Sequence, residues 1–136
     1  PLLVGLDATL DALLTDDDVA LAAEGRTPAG GFLADPLVEY AKYYARSEQV
    51  ADGRFACHDL LAALAVAEPE VLTDVQVLPI SVDTGGSAAW GSTVADRRRR
   101  PDTQAVGYHP WRVALGADER RFRTVFRTMV GGEAPA

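Results

Sequence analysis

A histidine and an aspartate, His58-Asp59, stand at the mouth of an almost wholly apolar run, Leu60-Leu61-Ala62-Ala63-Leu64-Ala65-Val66-Ala67, which Pro69 closes. The pattern predicts a buried helix that begins where two side chains able to do chemistry are held. Histidine is the side chain whose charge changes near neutral pH, which suits general acid–base work. The carboxylate has a competing role. At a helix start it accepts from free backbone N–H groups and meets the positive end of the dipole, so Asp59 also reads as a cap.

Other chemistry-bearing residues are scattered along the chain. Tyr40, Tyr43 and Tyr44 fall on one predicted helix, too many hydroxyls for a dry core. Phenols of that kind suit the edge of a flat or hydroxylated ligand, or they lie half buried with their hydroxyls in water. Asp7 and Thr9 follow the apolar run Leu2-Leu3-Val4-Gly5-Leu6. Ligands collect outside strand ends of that type, although a simple turn start accounts for both residues as well. Asp16-Asp17-Asp18 after Thr15 reads as a capped helix start rather than a cation loop, because no glycine turn spreads its oxygens. Cys57 next to His58 is read as a buried structural thiol. The run Arg97-Arg98-Arg99-Arg100 is read as a solvated loop, and His109 sits in a turn setting before Pro110.

The elements that must position these residues alternate between strand and helix. Strands are expected at 2–6, 75–82 and 91–96, with further extended segments at 103–108 and 112–115. Helices are expected at 16–23, from Phe32 to about Gln49, and from His58 to Pro69. A last helix follows Asp118, with Phe122, Val125, Phe126, Met129 and Val130 at i, i+3, i+4, i+7 and i+8. The fold class expected is α/β, a mostly parallel sheet flanked by helices. With 136 residues, 48% of them hydrophobic, the chain fits a single domain, 1–136, with a frayed tail at 131–136. A net charge of −7 argues against nucleic acid or an anionic membrane as partner, and one cysteine excludes an internal disulfide. No run has the length of a membrane span, and a cytoplasmic location is expected.

The run from His58-Asp59 through the strand Val77-Leu78-Pro79-Ile80-Ser81-Val82-Asp83 leads to Thr84-Gly85-Gly86 and then to Gly91-Ser92-Thr93-Val94-Ala95-Asp96. With Gly5-Leu6-Asp7-Ala8-Thr9 upstream, it resembles the C-terminal half of the inosine-uridine preferring nucleoside hydrolases. Leu60 stands where that family usually has Pro, and Ala89-Trp90 where Thr-Arg is common. The family's loop Asp-x-Asp-x-Gly-x-Asp-Asp is absent. The resemblance implies a nucleoside N-ribohydrolase that cleaves the N-glycosidic bond of purine or pyrimidine nucleosides with a Ca²⁺-bound water. It makes His58 the acid or donor facing the base, Asp59 one oxygen ligand of the Ca²⁺, and Tyr40 and Tyr44 substrate contacts on a helix that closes over the nucleoside. Ca²⁺ takes about six to eight oxygens, so without the Asp-rich loop the chain is expected to be inactive alone and to need the missing N-terminal half as partner. The start at Pro1 fits a C-terminal portion of something longer. Self-association into a homo-oligomer is left open, and the alternative is a non-catalytic α/β binding or assembly module derived from the same fold.

Overall fold

The structure, a computed structural model, describes residues 1–47, 53–98 and 108–132. Its larger sheet has four strands, β1 (Leu2–Val4), β4 (Leu72–Val82), β5 (Thr93–Ala95) and β6 (His109–Ala117), in the order β1-β6-β4-β5. Two short strands, β2 (Leu13–Thr15) and β3 (Arg54–Ala56), form a separate antiparallel pair. The α/β class is as expected, but the sheet is mixed. β1 runs parallel to β6, while β4 is antiparallel to both β6 and β5. Antiparallel neighbours need no crossover helix, and the short link from Val82 to Thr93 lets β5 fold straight back on β4. A long apolar run reports burial on both faces without reporting direction, which is why mostly parallel pairing was expected. His109, expected in a turn, instead opens β6 opposite Ile80.

Among the described residues five α-helices accompany the strands, α1 (Leu6–Thr9), α2 (Asp16–Ala23), α3 (Pro28–Ser47), α4 (His58–Ala67) and α5 (Glu119–Gly131), with a single 3₁₀ turn at Pro69–Val71. The expected strand 2–6 is cut short at Gly5, whose carbonyl accepts from the N–H groups of Ala8 and Thr9 and so starts α1. The main core gathers Phe122, Phe126 and Val130 of α5 with Leu14, Phe55, Leu61, Val71 and Ala114. Only one side of α4 enters it. Leu61 and Ala65 are buried, whereas Val66 is 83% exposed, because an apolar run without a 3.6-residue pattern does not say which face points inward. Phe32, expected on the apolar face of α3, is likewise exposed.

The opposite face of the sheet carries a second cluster made of strand residues alone: Leu78 and Ile80 of β4 and Val113 of β6, with Leu3, Ala95, Trp111 and Leu115 against them. A cleft of about 570 Å³ opens beside it. Among the described residues no helix is long and apolar enough to cross a membrane. Gly131 ends α5 and Gly132 caps it with φ of 83°, a left-handed conformation that glycine adopts without strain. The rest of the expected tail, 133–136, lies outside the described residues, as do the expected extended segment 103–107 and the end of the arginine run at 99–100.

α3 begins earlier than the sequence suggested, taking Pro28 into its first turn, where the missing N–H costs nothing. Thr27 clasps two helix ends at once. Its hydroxyl accepts from the Gly30 N–H at 3.0 Å and lies 2.9 and 3.0 Å from the Met129 and Val130 carbonyl oxygens at the end of α5. Gly30 is what allows this approach. A Cβ there would stand 2.6 Å from the Val130 carbonyl oxygen and 3.3 Å from that of Ala22, while one at Gly31 meets nothing within 4 Å. Gly30→Ala is therefore expected to lower stability by about 1–3 kcal/mol through the forced backbone shift, read as a drop in the urea midpoint. Gly31→Ala, in the first turn of α3 and unhindered, serves as the control and is expected to hold or raise that midpoint.

Candidate functional site

Three helices converge on His58. It is the first residue of α4, after the cap residue Cys57. Its Nε2 lies 2.7 Å from the Tyr44 hydroxyl of α3, and its Nδ1 lies 2.8 Å from the Thr9 hydroxyl at the end of α1. Tyr44 and Thr9 are both buried, and the imidazole is half buried between them. Both ring nitrogens thus have partners from elements far apart in sequence, and the ring cannot turn without giving up a hydrogen bond.

The wall beside the ring is a pocket of about 320 Å³, lined on the α3 side by Leu33, Leu37 and Tyr40 and on the α4 side by Cys57, His58 and Asp59. Tyr40 packs edge-on against Tyr44 and Phe55, with ring centroids 5.2 and 6.0 Å away. Burial first, and then its hydrogen bond to Tyr44, push the Tyr40 phenol up to about 12, so it keeps its proton at any physiological pH. Tyr43, whose ring stacks 6.5 Å from that of Tyr40, is exposed. The Asp59 carboxylate is exposed in the first turn of α4, and among the described residues no hydrogen bond or ion pair engages it. The cap position belongs to Cys57, not Asp59. Burial raises the Cys57 thiol, with the Leu60 N–H working the other way, so it stays protonated and suits structure better than nucleophilic attack.

The structure therefore brings together Tyr40, Tyr44, His58 and Asp59, the four residues singled out from the sequence, and adds Thr9 to them. Asp7 goes elsewhere. It lies on the rim of the cleft across the sheet, with Leu6 and Arg97. Among the described residues no group of three or more His, Cys, Asp or Glu side chains is placed to share a metal ion, so Asp59 alone does not make a Ca²⁺ site. Thr9 was missed as a partner of His58 because 49 residues separate them. Its only signal was the position after an apolar strand end.

A second polar constellation escaped the sequence altogether. Asp18 is fully buried and accepts from Arg123 Nε at 2.8 Å, from Arg127 Nη1 at 2.7 Å and from the Thr15 N–H at 2.9 Å, tying α2 to α5. Burial works to raise this carboxyl, but the hydrogen bonds from Arg123, Arg127 and Thr15 together hold it below the ordinary 3.8. It lies away from the pocket, and we read it as a structural clamp.

The sequence profile described as "Inosine-uridine preferring nucleoside hydrolase" matches residues 1–124. The protein of that name from Crithidia fasciculata is 34% identical over 101 residues, covering 74% of this chain and 31% of its own length. The structure of a purine-preferring ribonucleoside hydrolase from Gardnerella vaginalis is similar with a TM-score of 0.71 at 32% identity, over 96% of this chain and 39% of that one. A plant nucleoside hydrolase shares the fold with a TM-score of 0.81 at 20% identity, over 97% of this chain and 41% of its own. The chain thus spans about a third of the curated relative it matches.

Proposed function

The chain belongs to the inosine-uridine preferring nucleoside hydrolase family, and from that membership we infer that it supplies the base-facing wall of a nucleoside N-ribohydrolase site. The observation that carries the reading is the imidazole of His58 held between Thr9 and Tyr44 at the edge of an aromatic-sided pocket. Breaking an N-glycosidic bond builds positive charge on the sugar and negative charge on the departing base. His58, next to the Tyr44 hydroxyl, is the acid or donor that meets the charge on the base. Tyr40, which lines the pocket, supplies apolar ring surface and a hydroxyl edge that suit a nucleoside, whereas Tyr44 is buried and bears on the site only through its hydrogen bonds to His58 and Tyr40. Asp59, exposed and without a hydrogen bond or ion pair among the described residues, would contribute one oxygen to a Ca²⁺ whose other ligands would come from outside them.

The missing N-terminal half of the enzyme is the proposed partner. Two observations support it. The chain covers at most 41% of the solved relatives named above, and one face of its sheet holds a cluster with no helical residue in it, beside an open cleft. A second reading, a non-catalytic binding module, is favoured by the satisfaction of both His58 nitrogens from within, as in a structural histidine. Ribose release separates the two. A complete enzyme carrying this segment is expected to liberate ribose from inosine and uridine, and nucleoside binding without release from either would overturn the hydrolase reading.

A further inference from the structure

We infer that Thr9 is a positioning residue for His58, fixing the tautomer of its imidazole; the effect on rate rests on the hydrolase reading, the tautomer does not. A threonine hydroxyl has one proton and can accept through its lone pairs. The Thr9 hydroxyl lies 3.4 Å from the Leu6 carbonyl oxygen, one turn back in α1, and 2.8 Å from His58 Nδ1. A carbonyl only accepts, so the hydroxyl donates to Leu6 and takes the Nδ1–H of the ring. Back-bonding of this kind is common for threonine in a helix. Nε2 is then bare, and it accepts the Tyr44 O–H at 2.7 Å.

Thr9 is 2% exposed, so water has little access to its hydroxyl. The consequence concerns the path of a proton. With Nδ1 engaged by a group that holds no spare proton, the ring gains or loses one only at Nε2, on the side of the Tyr44 hydroxyl. Tyr44 in turn hydrogen-bonds Tyr40, which lines the pocket. Valine keeps the shape of threonine but offers no acceptor, whereas serine keeps the hydroxyl, so the two substitutions separate chemistry from packing.

The chain has two histidines, which makes the tautomer directly readable. Long-range proton–nitrogen correlation spectra of the ¹⁵N-labelled chain in mildly alkaline buffer, assigned with the exposed His109→Gln as reference, are expected to show the Nδ1–H form for His58. Thr9→Ser should preserve it, and Thr9→Val should raise the Nε2–H form. An Nε2–H ring in the unmodified chain overturns the inference by itself, whether or not Thr9→Val folds. An unchanged pattern in a folded Thr9→Val does the same. In a complete enzyme, Thr9→Val should lower kcat on inosine about ten- to a hundred-fold, the usual loss when a hydrogen-bonding partner behind a reacting group goes. KM should stay unchanged, and Thr9→Ser should restore the rate. Absence of turnover in the unmodified complete enzyme would strike the hydrolase reading and leave the tautomer result standing.

Discussion

Replacing His58 with alanine in a complete enzyme carrying this segment is expected to lower kcat on inosine by about a hundred- to ten-thousand-fold, the range that a placed proton donor supplies. The same substitution should cost far less on a nitrophenyl riboside, because that leaving group departs as a stable anion and needs no proton. The contrast follows from the geometry. His58 meets the Tyr44 hydroxyl through Nε2 beside the pocket, so what alanine removes is help to the departing group. It also takes one hydrogen-bond partner from each of the buried Thr9 and Tyr44 hydroxyls, which keep Leu6 and Tyr40, and the loss of each bond costs about 0.5–1.5 kcal/mol of stability. Circular dichroism and a urea midpoint on the same preparation separate that loss from the catalytic one. Equal losses on the nucleoside and on the nitrophenyl riboside would remove His58 from the role of leaving-group acid.

The largest effect on stability is expected at Asp18. Removing one partner of a buried ion pair costs about 3–5 kcal/mol because the opposite charge is left without compensation. Asp18→Ala leaves both Arg123 and Arg127 in that state. Their side chains keep 30% and 36% exposure, which places the expected loss near the lower end, about 3 kcal/mol. The Thr15 N–H loses its acceptor in the same step, so one half of the capping box at the start of α2 goes as well. Because the folded carboxyl is held below its ordinary 3.8, its contribution is complete above that pH and disappears as the pH falls through the depressed value. Urea midpoints of the unmodified chain should therefore fall more steeply once the pH drops below about 4, and Asp18→Asn should flatten the part of that fall that Asp18 supplies. An unchanged slope would show that the clamp is not what holds the carboxyl down.

How much of this was legible in the sequence depends on the range of the signal. The start of α4 at His58 was plain because the polar pair, the apolar run and Pro69 all lie within a dozen residues. The α5 stripe was plain for the same reason, and Phe122, Phe126 and Val130 are buried as their spacing requires, although Val125 at its flank is only partly buried and Met129 is exposed. β2 and β3 were not, since three residues are too few to show an alternation. Asp18 looked like a first-turn carboxylate because its arginines stand 105 and 109 residues away. His58, Asp59, Tyr40 and Tyr44 were picked out on residue type, a resemblance and helix spacing. That Tyr44 turns its hydroxyl to Nε2 while Thr9 takes Nδ1 is tertiary information which no local pattern carries.

The clasp between Thr27 and the end of α5 makes α3 a lever. Its fulcrum is at Gly30, and Tyr44 rides fourteen residues further along, about 21 Å at 1.5 Å per residue. A tilt of about 5° at the fulcrum sweeps the Tyr44 end through about 2 Å over such an arm. A hydrogen bond of 2.7 Å has no such slack. One methyl group at Gly30, at the far end of the helix from the imidazole, is therefore expected to loosen the Tyr44–His58 hydrogen bond, read as a shift of the His58 ring nitrogens in Gly30→Ala.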